Sequence, residues 1–509
     1  MATVRTNDLR VQNASNLMDS LNDIGDASTY MFLGRPTPWP TGDNNPPVPT
    51  NNFSEFYRTY DQMLSLQKIE DSDAYHLIPK RVWSSGIVYD IYRPDYSLEL
   101  RAYSQASNLY DANFYALNRN GDVYVCLYNN SGPTNTPTIS TEEPLATSDK
   151  PFQTGDGYIW LKLYSVANLG DYVTSDFMPV VPSASLGTVA GGIYSVVIED
   201  RGKGYTNSPG GVPNQLDWYF CNIVGDGSGA KAKVKVLGDS ISEVVVYKAG
   251  SGYTQATLDF GPNKVFATKV DLNNNENALN PISNLLDDNN RVDLRCSVIV
   301  SPPEGWGHNL PRELGGTRVG IFSSLSSTNF DFISGNQFRQ VGLIQDPDFV
   351  SPASKSNQTL SACFAIKCDP GDDPSGFDIG ETIEQTVVDQ FGNNRKAKGQ
   401  VVNWDSDNNI VKYIQDPDMH RDEDDGVLYA FNSVVGLGIS PVFVVGMTSN
   451  RAMTVQLDFT QTNAGLNFVG GYAIPEIEQY SGMMTYLSNM SPITRTETQN
   501  ERISLIISY

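Results

Sequence analysis

The segment Ile193-x-x-Val-x-Ile198 followed by Gly202-x-Gly-Tyr-Thr206 returns as Ile241-x-x-Val-x-Val246 followed by Gly250-x-Gly-Tyr-Thr254, with Tyr205 and Tyr253 48 residues apart. Self-similarity of this kind constrains a fold strongly, because a repeated unit cannot bury its apolar face alone and must pack on a neighbour. Each copy reads as a strand running into a turn where glycine permits positive φ and the Tyr ring caps the unit's core. Between the copies, Ala230-Lys-Ala-Lys-Val-Lys-Val236 alternates strictly and supplies one more strand. A compact β-module over 190–268, inserted into a host domain, is expected.

The rest of the chain is punctuated in the same manner. Gly (43) and Pro (29) recur throughout, Tyr (26) and Phe (21) are abundant, and only 18% of the 509 residues are charged, a mixture that favours short strands and turns. At about 100 to 200 residues per domain the length implies roughly three domains. Two helices are expected. One covers 9–24, with Ala14, Leu17, Met18, Leu21 and Ile24 on one face and Gly25 ending it; the other runs from the Ser54 region to about Lys68, with Phe53, Phe56, Tyr57, Tyr60, Met63 and Leu64 on one side. Strands are expected at Tyr30–Arg35, Leu77–Trp83, Val88–Tyr92 and Asp122–Tyr128, the last half-buried, and at the residues that follow the Gly155-Asp-Gly turn up to Tyr164. Further strands are read at 294–301, Arg318–Phe322 and Phe338–Ile344. A second β-module over 352–455 contains Phe377–Ile383, Lys398–Trp404 and Ile410–Ile414. Residues 129–151, 271–290 and 302–316 read as loops. The chain closes on Glu501–Tyr509, a strand that needs a partner in this chain or in a neighbour.

Lys and Arg number 35 against 58 Asp and Glu, a net charge of −23, and no basic block occurs. Such a chain repels nucleic acid and suits partners that carry basic patches. The five cysteines, Cys126, Cys221, Cys296, Cys363 and Cys368, form no CxxC, so neither a disulfide framework nor a zinc site follows; Cys363 and Cys368 read as small buried hydrophobes. No run approaches the ~20 apolar residues of a membrane span and no signal peptide opens the chain, so synthesis and retention in a cytoplasm are expected.

Only three histidines are present. His76 enters a strand and reads as packing. His308 lies in Gly305-Trp-Gly-His308, with no GxSxG nucleophile nearby, and reads as part of a turn. His420 lies in Asp416-Pro-Asp-Met-His-Arg-Asp-Glu-Asp-Asp425, where a cation site is conceivable; the EF-hand pattern fails because Val427 stands where a bidentate Glu should close the loop, and a solvated acidic loop is expected. Gly225-Asp-Gly-Ser-Gly229 imitates part of a dinucleotide fingerprint but leads into a strand instead of a phosphate-binding helix. Aromatics on a β-scaffold suit carbohydrate, though they also fill cores, and paired carboxylates for glycoside hydrolysis are a matter of three dimensions. No catalytic, cofactor-binding or metal residue is assigned, no cofactor is expected, and interface residues are not readable.

Several stretches, in order, resemble one family. These are Phe32-Leu-Gly-Arg-Pro-Thr-Pro-Trp39, in which an apolar strand enters Gly-Arg-x-x-Pro-Trp, then Leu77-Ile-Pro-Lys-Arg-Val-Trp83, Gly155-Asp-Gly-Tyr-Ile-Trp160, Phe338-Arg-Gln-Val-Gly-Leu-Ile-Gln-Asp-Pro347, and Tyr480-Ser-Gly-Met-Met-Thr-Tyr-Leu-Ser-Asn-Met-Ser-Pro-Ile493 with the closing strand. Together they are similar to the baseplate wedge proteins, gene-eight product type, of T-even-like contractile-tailed bacteriophages. The resemblance covers about 9–185, 318–348 and 472–509, leaving both β-modules outside as insertions. It implies a mainly β, multi-domain subunit with a few α-helices. A wedge core at 1–189, 269–351 and 456–509 would be interrupted by modules at 190–268 and 352–455. It further implies a virion structural protein of the tail baseplate that is a homodimer, binds other wedge proteins and is no enzyme. The alternative is a carbohydrate-binding or depolymerising tail accessory.

Overall fold

Alternation along the sequence becomes sheet nearly everywhere. The computed structural model describes residues 5–21, 28–131, 136–148, 150–182, 186, 189–205, 218–237, 240–259, 268–270, 276–281, 292–325, 331–332, 334–369, 371–372, 375–432, 441–496 and 500–509. Ile24, Gly25, Thr206 and most of 271–290 lie outside these residues. The class is mainly β, with three α-helices among the described residues. The chain packs as two compact units, one of Met1–Ser15, Tyr75–Gly320 and Ile507–Tyr509, the other of Asn16–Ala74 and Ile321–Ile506.

In the first unit, Tyr115–Leu117, Asp122–Asn129, Tyr158–Ser165 and Phe152–Gln153 form an antiparallel sheet in that order. Side chains alternate across it. Val123, Val125, Leu127, Leu161 and Leu163 join a core with Ile78, Phe114, Trp306 and Leu310, while Tyr124, Cys126, Tyr158 and Trp160 meet Tyr89 and Ala116 on the other side. Asp122–Asn129 is therefore covered on both faces and not half-buried as expected. Tyr89 packs on that second face, while Ile91 and Tyr92 of the same Val88–Tyr92 stretch, which is not a strand, join the first core. That stretch is buried, but its backbone bonds are isolated ones, Asp90 N to Asn113 O (3.0 Å) and Tyr92 N to Cys126 O (2.9 Å), with no ladder.

The repeat is the most regular feature of this unit. Strand Ile193–Asp200 pairs with Arg295–Val300, and strand Ser240–Lys248 pairs with Lys231–Leu237. The two registers coincide. Ile198 opposite Cys296 corresponds to Val246 opposite Ala232, Val196 opposite Val298 to Val244 opposite Val234, and Ile193 opposite Val300 to Ile241 opposite Val236, with irregularities at equivalent places. The copies also meet reciprocally, since Ile193 N donates to Ala249 O (2.9 Å) and Ile241 N to Arg201 O (3.1 Å). Such exchange is the contact pattern of a two-fold, here inside one chain. Gly202 and Gly250 share φ +63°, and Gly204 and Gly252 follow at +80° and +74°. Tyr205 and Tyr253 are buried in the common core. Their hydroxyls accept from Leu294 N (2.8 Å) and Ala230 N (3.2 Å), and Tyr253 also donates to Ile223 O (3.1 Å). The strand completing the first copy thus lies past 268, and the common core extends to Leu294.

In the second unit Thr29–Gly34, wholly buried, lies between Met63–Lys68 and Gln337–Gln345; Thr359–Ser361 and Met483–Thr494 extend this sheet on either side. The expected helix from Ser54 to Lys68 is shorter: Phe53–Asp61 is helical, capped by Asn52 accepting from Glu55 N, and Met63–Lys68 is a strand. Met63, Leu64 and Leu66 fit either reading by spacing, and two neighbouring strands decide it. A second, seven-stranded sheet runs Ala452–Thr454, Phe443–Gly446, Thr382–Val388, Asn394–Asp405, Ile410–Ile414, Phe364–Lys367, Tyr472–Ala473. Here Phe377–Ile383 is not the strand. Gly380 (φ +88°) turns the chain, so pairing starts at Thr382, while Phe377 packs edge-on to Trp404. Glu276–Pro281 and Leu310–Leu314, expected as loop, are a strand and a short helix. The closing strand Glu501–Ser508 lies beside Arg318–Leu325 of its own chain, and its end belongs to the first unit, where Tyr509 N donates to Thr317 O (3.1 Å).

A Cβ at Gly250 would sit 2.5 Å from Ala230 N and one at Gly202 2.8 Å from Leu294 N, whereas Gly86 (φ +87°) faces open space. Gly86→Ala should cost about 1 kcal/mol for its backbone alone, while Gly202→Ala and Gly250→Ala should each cost roughly 3 or more, because backbone must also move. Urea denaturation measures this, and equal losses at all three positions would remove the close approach as the reason for glycine.

Candidate functional site

The charged loop after Ile410–Ile414 is only in part the solvated loop expected: Asp418, Arg421, Glu423, Asp424 and Asp425 are exposed, while three of its residues are buried. Asp416 and His420 are each 2% exposed and Asp422 3%. Asp416 and His420 close a tight turn on each other: Asp416 N donates to His420 Nδ1 (2.8 Å), His420 N donates to Asp416 O (2.9 Å), and Asp418 N donates to Asp416 Oδ1 (2.8 Å). Burial lowers the His420 pKa, and an Nδ1 that accepts leaves the ring neutral with its proton on Nε2.

The loop's remaining carboxylates face cations of strand Asn394–Asp405. Arg395 lies 3.1 Å from Asp389, 3.3 Å from Asp425, 3.7 Å from Asp424 and 3.8 Å from Asp422, and Lys398 lies 2.7 Å from Glu423. The positions where a cation was conceivable are therefore occupied by a guanidinium and an ammonium. Among the described residues no group of three or more His, Cys, Asp or Glu is placed to hold a metal ion.

On its other side the loop forms one wall of a cleft of about 550 Å³, with Arg35, Thr37, Arg58, Gln62 and Gln400 on the others. Gln62 stands between two buried charges. Its Oε1 accepts from Thr37 Oγ1 (3.0 Å) and, at 3.4 Å, from Arg35 Nη1; its Nε2 donates to the Asp416 carboxylate. Arg58 pairs with Asp418 at 2.7 Å. Nearby, burial, reinforced by Asp416 and Asp418, pushes the Asp61 carboxyl up to about 6, against a hydrogen bond donated by Tyr480. Arg35 and Gln62 were not singled out as site residues by sequence. The only trace was the Gly-Arg-x-x-Pro-Trp pattern, which marks a turn.

The other candidate residues are separate and structural. His76 Nδ1 lies 3.2 Å from Gly316 O. His308 is exposed and pairs with Glu304 at 3.0 Å. Trp306 of the same segment is buried against Tyr92, and Glu313 accepts from Gly307 N and Asn309 N (both 2.9 Å). Beside this segment Tyr92, Pro94, Tyr96, Tyr110, Pro302 and Arg312 line a groove of about 370 Å³. Cys363 and Cys368 flank strand Phe364–Lys367, fully buried, and burial pushes both thiols up to about 12, which suppresses the nucleophilic thiolate. Gly225–Gly229 leads into strand Lys231–Leu237, leaving no helix N-terminus for a phosphate. Among the described residues no helix is long and apolar enough to cross a membrane.

Because the folded state raises the Asp61 pKa, the stability tied to its neutral form is complete below about pH 4, where an unfolded Asp also protonates, and is lost as pH rises through about 6. Asp61→Asn should therefore stabilise the protein above pH 6, by on the order of 1 kcal/mol after solvent screening, and change little at pH 4. A stabilisation independent of pH in thermal melts would show that the carboxyl ionises normally. No protein-family model matches the chain, and no curated protein matches it.

Proposed function

We propose that this chain is a structural, non-enzymatic subunit of a contractile phage tail baseplate, of the T-even-like wedge type, located in the virion tail. The observation that carries the reading is how the resembling stretches are arranged. Those around Phe32, Phe338 and Met483–Ile493 are adjacent strands of one sheet, although they are separated by hundreds of residues. The repeat and the sheet built on Thr382–Val388 and Asn394–Asp405 have cores of their own, as inserted modules would. The work of such a subunit is to hold interfaces while the baseplate changes state. A homodimer and contacts with other wedge proteins belong to this reading.

Light scattering on the purified chain should give a dimer, and mixing with other wedge proteins should give a discrete complex by size exclusion. A monomer at micromolar concentration that joins nothing would sink the idea. Deleting 501–509 should destabilise the chain itself, because Glu501–Ser508 is paired internally; a truncated chain with unchanged thermal melting would disprove that role. The tyrosine-lined groove favours a second reading, a carbohydrate-binding or depolymerising tail accessory. Binding or cleavage of host polysaccharide by the isolated chain, without wedge association, would replace the first reading with this one.

A further inference from the structure

The groove beside Trp306 lies within the first unit and carries an unequal set of charges. Three carboxylates, Asp8, Glu304 and Glu313, line it against one cation, Arg312, whose Nε is already held by Asp8 at 3.1 Å. Its three tyrosines are of two kinds. Tyr96 and Tyr110 are half-buried and use their hydroxyls on backbone, donating to Ile91 O (2.9 Å) and Arg312 O (2.8 Å), so what they leave at the groove is ring. Tyr92 is 6% exposed and wedged against Trp306, with ring centroids 4.4 Å apart, yet its hydroxyl has no hydrogen-bond partner among the described residues. That oxygen is not one of the sealed polar atoms of the fold, so it opens into the groove that Tyr92 lines. A hydroxyl fixed in this way is ready to accept from a ligand or to donate to it.

Ring faces and carboxylates together favour an organic cation. Pro94, Leu109 and Pro302 add an apolar wall along which a methylene stem can lie. A guanidinium is served less well than an ammonium, because its fork needs two open oxygens on one carboxylate. Here Glu313 accepts from Gly307 N and Asn309 N on its two oxygens, Asp8 gives one oxygen to Arg312, and Glu304 gives one to His308. A compact ammonium with three separate donors needs only single contacts. A neutral sugar would leave the excess of negative charge unanswered.

We infer that this groove receives a lysine side chain of a basic partner protein, its methylenes along the Pro94, Leu109 and Pro302 wall and its ammonium at the Tyr92 hydroxyl and the carboxylates. A second copy of this chain is not that partner, since two chains of net charge −23 repel each other. The inference does not rest on the baseplate reading, and it gives the groove an occupant other than a sugar.

Calorimetric titration of the full chain tests it with four probes: a short blocked alanine peptide with one central lysine, the same peptide with that lysine acetylated, its arginine counterpart, and maltotriose. Saturable binding of the lysine peptide is expected, with the acetylated peptide roughly tenfold weaker or worse for the loss of its charge, the arginine peptide several-fold weaker, and no binding of the sugar. Tyr92→Phe should weaken the lysine peptide several-fold and leave thermal melting unchanged, since the hydroxyl holds nothing in the folded chain. Glu304→Gln, at an exposed side chain, should also weaken it several-fold. Arg312→Gln removes the one cation and should tighten binding, a sign that a structural role for Arg312 would not produce. No saturable binding of the lysine peptide at millimolar concentration would overturn the assignment. So would acetylated peptide, arginine peptide or sugar binding as tightly as lysine, or a lysine affinity unmoved in all three variants.

Discussion

The second unit depends on one strand being bonded along both edges. Thr29–Gly34 has no exposed residue, and its backbone groups are satisfied by Met63–Lys68 on one side and Gln337–Gln345 on the other. Buried backbone donors and acceptors have no alternative partner, so this strand requires two segments that lie far apart in the chain. Met483–Thr494 then adds to the outer edge of Gln337–Gln345. The end of the same strand positions Arg35, whose N donates to Gln62 O at 2.8 Å and whose backbone turns at φ +59°. Cleft and sheet are thus consequences of one pairing choice.

What sequence reveals here depends on how local the cause is. The Gly-x-Gly-Tyr turns were legible because positive φ and a capping ring are written within four residues. The partner of the first copy, Arg295–Val300, is recognisable as a strand, but its link to the repeat is not, because pairing over such separation leaves no trace in spacing. Met63–Lys68 is ambiguous in sequence because its apolar residues suit a helical face as well as a strand covered on both sides. Val88–Tyr92 is ambiguous for a related reason: burial selects the same side chains whether or not a ladder forms. The burial of Asp416, His420 and Asp422 within an otherwise exposed loop leaves no mark in the loop's own sequence, because what covers them comes from elsewhere, chiefly Gln62 and strand Asn394–Asp405.

Charge is organised more tightly than a net −23 suggests. The chain has few cations, and several are placed where carboxylates crowd, Arg395 among four of them and Lys398 between Glu384 and Glu423. This neutralisation lets an acidic loop fold back on a strand instead of extending into solvent. Asp418, Glu423 and Asp424 stay exposed while they pair with Arg58, Lys398 and Arg395, so solvent screens these outer pairs more than the buried ones.

The duplicated strand pairs make the same contacts in the same register, yet they do not close the same length of chain. Lys231–Leu237 and Ser240–Lys248 are almost contiguous, whereas Ile193–Asp200 waits for Arg295–Val300, close to a hundred residues later. With about 0.6 kcal/mol for each doubling of a flexible loop, the second closure is more expensive by roughly 2 to 3 kcal/mol. Symmetry of structure is therefore not symmetry of stability. The local pair is suited to act as the template on which the distant one assembles, and during synthesis the first copy stays incomplete until Val300 has left the ribosome.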